Sequence, residues 1–146
     1  MLYHPYILLA AMVLFIAGAV DGMISMRSPA RLPSRHPQLM YAAYLLFLLA
    51  LALYYGYERG IALEIAGGRE AFRATGLLVP HVIFITLSTL LLTASFLWGM
   101  LNRGRFFRHG TGRSEQLHIL TGILGIASYV LAVLTGIGMY LRAGVL

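Results

Sequence analysis

The 146-residue sequence has no cysteine and no lysine. Without cysteine there are no disulfides, no thiolate metal sites, no iron–sulfur clusters and no covalent Cys-x-x-Cys-His haem attachment. A cofactor held non-covalently by imidazole stays open, because five histidines are present. Charge is also scarce: 11% of residues are charged, where soluble domains carry about 25%. What charge there is leans positive, with eleven arginines, five acidic residues and a net charge of +6. In so apolar a chain this excess reports topology, and no nucleic-acid partner is expected.

Apolar residues make up 60% of the chain, and its mean hydropathy is +0.81. Four apolar runs, at about 2–23, 38–57, 76–101 and 117–141, reach the roughly 20 residues a membrane span needs. Lipid offers the backbone no hydrogen bonds, so each run must be a helix. The expected fold is all-α: an integral membrane up-down four-helix bundle. It forms one domain over 1–146, with helices at about 2–23, 34–57, 76–101 and 114–142. Ala17-Gly18-Ala19 resembles a signal cleavage site, but no Lys or Arg precedes it, so the first run reads as a retained helix.

Smaller signals punctuate the runs. Ser34 and Ser114 are placed to cap the second and fourth helices. Gly18 and Gly22 form a small-xxx-small pair suited to close helix packing. Residues 61–66 read as a short amphipathic surface segment, followed by a Gly67-Gly68 turn. The hydroxyls of Thr86, Ser88, Thr89, Thr93 and Ser95 are expected to bond to carbonyls one turn back. Seven arginines (27, 31, 35, 103, 105, 108 and 113) fall in the helix 1–2 and 3–4 loops. The other side holds Arg59, Arg69, Arg73 and Arg142. Positive-inside bias puts the seven-arginine side in the cytoplasm and both termini on the non-cytoplasmic side.

A histidine opens each run: His4, His36, His81 and His118. His109 lies in a basic loop and reads as solvated. Consecutive helices of an up-down bundle are antiparallel. His4 and His81 therefore share one level, and His36 and His118 the other. Diagonal helix axes lie roughly 11–14 Å apart when neighbours are about 8–10 Å apart, a span that an imidazole–iron–imidazole stack fits. Two bis-histidine haem sites follow, with these four residues as the metal ligands. Gly122, one turn after His118, is expected to leave room for the macrocycle. Met40, one turn after His36, reads as core packing.

His-Pro-Gln-Leu-Met at 36–40 and Leu-His-x-x-x-Gly at 117–122 resemble the cytochrome b-561 superfamily. Its core is four helices holding two b haems on histidines from alternate helices. The resemblance runs from His4-Pro5 to Thr135-Gly136-x-Gly-Met139, as in a minimal four-helix bacterial relative. It implies haem b as cofactor, His4 with His81 and His36 with His118 as ligand pairs, and a bacterial inner or photosynthetic membrane. The lysine-rich ascorbate-site pattern is missing.

The function expected is electron transfer across the bilayer through two b haems, with a quinone, another redox protein or a membrane complex as partner. Arg35, Arg103 and Arg113 on one side, and Arg73 on the other, are placed to neutralise haem propionates. No catalytic residue is assigned. The rival readings are a haem-free structural or assembly subunit and a transition-metal transporter. The latter needs a continuous polar path, and no helix carries a mid-membrane carboxylate.

Overall fold

A computed structural model describes residues 2–27, 34–109 and 113–145, with the side chains of 27, 103–109, 113 and 114 left aside. The helices are α1 (His4–Arg27), α2 (His36–Leu53), α3 (Arg59–Ile65), α4 (Arg69–Ala74), α5 (Leu78–His109) and α6 (Arg113–Arg142). Among the described residues four helices are long and apolar enough to cross a membrane. Their outward faces are apolar, with Val13, Leu45, Ile83, Leu90, Ile123 and Leu134 all exposed. A helix apolar all round is suited to lipid on one side and protein on the other.

Packing divides the bundle into two antiparallel hairpins, α1 with α2 and α5 with α6, joined through α1 and α6. Small residues let the helices approach: Ala11, Ala43, Ala50, Ser88 and Ala132 are all buried. Large rings fill the centre. Tyr129 meets Phe15 and Phe47 edge-on at 5.5 and 5.2 Å, a favoured aromatic geometry, and its hydroxyl donates to the Leu8 carbonyl at 3.0 Å. Side chains bridge α2 and α5. Tyr44 stacks on Phe96 at 4.5 Å, and its hydroxyl lies 2.8 Å from Thr93 Oγ1.

The second helix does not stop at Tyr57. It continues through a π turn at Tyr54–Glu58 into α3, one continuous helical span of 30 residues from His36 to Ile65. Residues 61–65, expected on the membrane surface, belong to this extension. Ala62 is buried there against Leu2, Phe72, Met139 and Tyr140. Gly67 and Gly68, at φ 76° and 115°, then turn the chain into α4 through backbone conformations that suit glycine. The segment closes the end of the bundle where α1 begins and α6 finishes.

A carboxylate satisfies the start of α2 across space. Asp21 Oδ2 accepts the His36 backbone N–H at 2.8 Å and the Ser34 hydroxyl at 2.6 Å. Ser34 Oγ also accepts the His36 N–H, at 3.1 Å, so the expected serine cap is shared with Asp21. Ser88 and Thr89 bond back to the Ile85 carbonyl as expected. The Ser114 side chain lies outside the described residues.

Candidate functional site

Three of the four histidines are seated in one way. His36 Nδ1–H donates to the Gly18 carbonyl of α1 at 2.8 Å, and its ring lies on Gly22, where an added Cβ would come within 2.9 Å of Nδ1. His118 Nδ1–H donates to the Ser95 carbonyl of α5 at 3.1 Å, with Ser95 Oγ also near at 3.2 Å. A Cβ on Gly99 would stand 3.0 Å from the His118 Cε1. His81 Nδ1–H donates to the Ala132 carbonyl of α6 at 2.9 Å, and its ring lies on Gly136, with 2.9 Å to an added Cβ. Each seat is a small residue whose carbonyl accepts the ring, and one turn later a glycine under the ring.

The seats keep a fixed distance from the histidine of their own helix. Gly18, Ser95 and Ala132 stand 14 residues after His4, His81 and His118, and Gly22, Gly99 and Gly136 stand 18 after. Fourteen residues of helix rise about 21 Å. Each of these helices therefore carries a histidine at one level and a neighbour's seat at the other. In α2 the same positions after His36 are Ala50 and Tyr54. Tyr54 fills the space a glycine would leave, 4.8 Å from the His4 ring. Glu58, the last residue of the π turn, takes the His4 Nδ1–H instead.

In all four histidines Nδ1 is the nitrogen held by an acceptor, which assigns the lone pair to Nε2. An acceptor on Nδ1–H orients a metal-ligating imidazole and raises its basicity. The His36 and His118 ring centres are 6.4 Å apart with planes at 86°, across the diagonal of α2 and α6. A metal about 2 Å from each ring nitrogen gives a centre-to-centre span of roughly 6 Å, so this pair fits an imidazole–metal–imidazole arrangement. His4 and His81 line a common cavity of about 30 Å³ with Leu8, Gly136, Ile137 and Tyr140. The Tyr140 hydroxyl donates to His4 Nε2 at 3.1 Å. Coordination through His4 would replace that hydroxyl as partner of the lone pair.

Glu58 is 1% exposed and His4 5%. Glu58 Oε1 accepts the Tyr3 N–H at 2.8 Å, and Oε2 accepts the His4 N–H at 3.0 Å as well as the ring. The carboxylate thus closes the start of α1, where backbone donors lack partners within the helix. Among the described residues no three His, Cys, Asp or Glu side chains converge to hold a bare metal ion. A haem iron asks for only two axial ligands from the protein.

Other expected site residues fall elsewhere. A Cβ on Gly122 would meet Ser95 Oγ at 3.2 Å, with no ring beside it; its space goes to the serine that holds His118. Arg73 pairs with Glu70 at 2.7 Å on the exposed side of α4. Arg35 is exposed immediately before His36, and the side chains of Arg103 and Arg113 lie outside the described residues. Met40 packs on Gly18 in the core. Sequence reasoning missed Glu58, Tyr140, Ser95, Gly99 and Asp21. The 14- and 18-residue spacings were the signal for Ser95 and Gly99.

The seats differ measurably from glycines in open space. Gly99→Ala is expected to cost about 1–3 kcal/mol, as overpacking does. Gly60→Ala, where an added Cβ meets nothing, is expected to stabilise by up to about 1 kcal/mol through helix propensity. Thermal unfolding of both variants in one detergent checks the contrast; a neutral Gly99→Ala would remove the seat.

No family model, no curated protein and no solved structure matches the chain.

Proposed function

We propose that this chain is a membrane-embedded b-type cytochrome that moves electrons between the two faces of a bilayer. The observation that carries the proposal is the His36–His118 pair, with ring centres 6.4 Å apart across the bundle diagonal. His36 and His118 would hold one haem, and His4 and His81 the other. The resemblance of the short histidine motifs to the cytochrome b-561 superfamily supports the same assignment.

When bound, each haem would supply a one-electron couple tuned by its axial ligands and their hydrogen bonds. The chain's own residues do the rest. Gly18, Ser95 and Ala132 hold Nδ1–H, so that Nε2 would be the nitrogen to coordinate. Glycines under the rings set their depth. Phe15, Phe47 and Tyr129 keep the space between the levels dry. In the orientation favoured by the arginine bias, the His36/His118 level lies towards the cytoplasm and both termini are on the other side.

Protein purified in mild detergent from haem-replete cells is expected to carry two b haems per chain, measured by pyridine haemochrome. A value near zero would reject the reading and leave a haem-free structural subunit.

A further inference from the structure

One short piece of chain covers the end of the bundle where α1 begins. This is α4, six residues long, too short to be stable as a helix by itself. Its outer face is polar, with Arg69, Glu70 and Arg73 exposed. Only Phe72 among these six residues is buried. Its ring meets Tyr140 at 5.7 Å and packs in one cluster with Leu2, Ala62 and Met139. Tyr140 in turn donates to His4 Nε2 and lines the cavity that His4 and His81 share. Phe72 therefore stands as a stopper between the aqueous phase and that cavity.

Glycines join α4 to the rest of the chain on both sides. Gly67 and Gly68 precede it and Gly76 follows it, at φ 76°, 115° and 70°. An added Cβ at any of the three would meet nothing, so neighbouring side chains leave these turns room to move. One polar latch fixes the far end: Arg142 donates to the Thr75 carbonyl at 3.0 Å. The Thr75 hydroxyl donates to the Phe72 carbonyl at 2.6 Å and accepts the Leu77 N–H at 3.2 Å, which ties Phe72 to the latch. A segment with so little buried surface opens at a lower free energy than the core beneath it. Lids are built in this way, with a few terminal residues at each end taking up the backbone change.

We propose that α4 is a hinged lid over the Glu58–His4 end of the bundle. Closed, with Phe72 on Tyr140, it keeps bulk water from the cavity of His4 and His81. Open, it gives water a path past Ala62 and Tyr140. The lid is independent of what His4 and His81 hold, because its parts are Phe72, the flanking glycines and Arg142.

The chain has no cysteine, so Ala62→Cys supplies a single thiol in the Phe72 cluster, where Ala62 is 1% exposed. Ala43→Cys does so in the centre of the bundle and reports opening of the whole fold. The test is the rate at which each folded variant, in mild detergent, reacts with a hydrophilic maleimide. Ala62→Cys is expected to react about tenfold or more faster than Ala43→Cys, and about tenfold or more slower than Arg73→Cys on the exposed face. Adding Phe72→Ala should speed the reaction at position 62 by about tenfold or more and leave that at position 43 unchanged. Arg142→Gln should act in the same direction. Glu70→Gln, which breaks only the exposed pair with Arg73, should change neither rate. The lid is overturned if Ala62→Cys reacts no faster than Ala43→Cys, since the cover then opens only with the whole bundle. It is overturned equally if Ala62→Cys reacts as fast as Arg73→Cys, since there is then no closed state. A Phe72→Ala change that leaves the rate at 62 as it was, or speeds both positions alike, has the same consequence. Phe72→Leu, a smaller loss at the same place, carries the comparison should Phe72→Ala fail to fold.

Discussion

Glu58→Leu is expected to lower stability by about 3–5 kcal/mol, because three N–H groups lose one charged acceptor, at about 1–3 kcal/mol for each buried group left unsatisfied. The leucine accepts nothing, so the Tyr3 N–H, the His4 N–H and the His4 Nδ1–H lose their acceptor together. Two of those groups belong to a residue that is only 5% exposed, so water cannot easily replace the carboxylate. The start of α1 should fray, and with it the packing of Leu2 against Ala62, Phe72 and Tyr140. Thermal unfolding in detergent checks the magnitude. A loss below about 1 kcal/mol, the value of an ordinary hydrogen bond, would mean that Glu58 does not tie the helix down.

Single histidine variants are expected to fall into two spectral classes. His36→Ala and His118→Ala should each remove the same haem component. On the proposed assignment each would remove one of the two histidines that hold the haem at a single level. His4→Ala and His81→Ala should remove the other component. Residual reduced-minus-oxidised spectra and haem per chain measure this, with Gly60→Ala as a folded control. Loss of one common component in His36→Ala and His81→Ala would break the pairing, because those residues stand at opposite ends of the bundle. The seats sharpen the expectation. Gly22→Val should behave like His36→Ala, since a branched side chain cannot share the place of the His36 ring.

Much of this arrangement could be read from the sequence. The four apolar runs became the four long helices, with ends shifted by a few residues except where α2 continues into α3 and where α5 runs on past residue 101 to His109, through part of the expected basic loop. The pairing of histidines by level followed from antiparallel order alone, and His36 and His118 do meet, while His4 and His81 share a cavity. The glycine under the His118 ring is Gly99 on the neighbouring helix, a contact that the spacing within one helix does not show, because helix side chains lean back towards the N-terminus. Glu58 looked like one of several balancing charges in a polar connection. Its role depends on a π turn, in which five residues shift the helix register without any composition that marks it. Tyr140 carried no signal, because nothing local places its hydroxyl against a residue 136 positions away.

Residues 4–18, 81–95 and 118–132 are rulers of equal length, and rulers tolerate changes of lettering better than changes of length. Inserting one residue within any of them would swing everything beyond it by about 100° around the helix axis. The carbonyl and the glycine of the seat would both turn away from the neighbouring histidine, although every side chain in the core had been kept. Substitutions that preserve volume should therefore pass where a single insertion or deletion does not. The connections between helices carry no such frame, so relatives of this chain should vary in length there and keep these three intervals fixed.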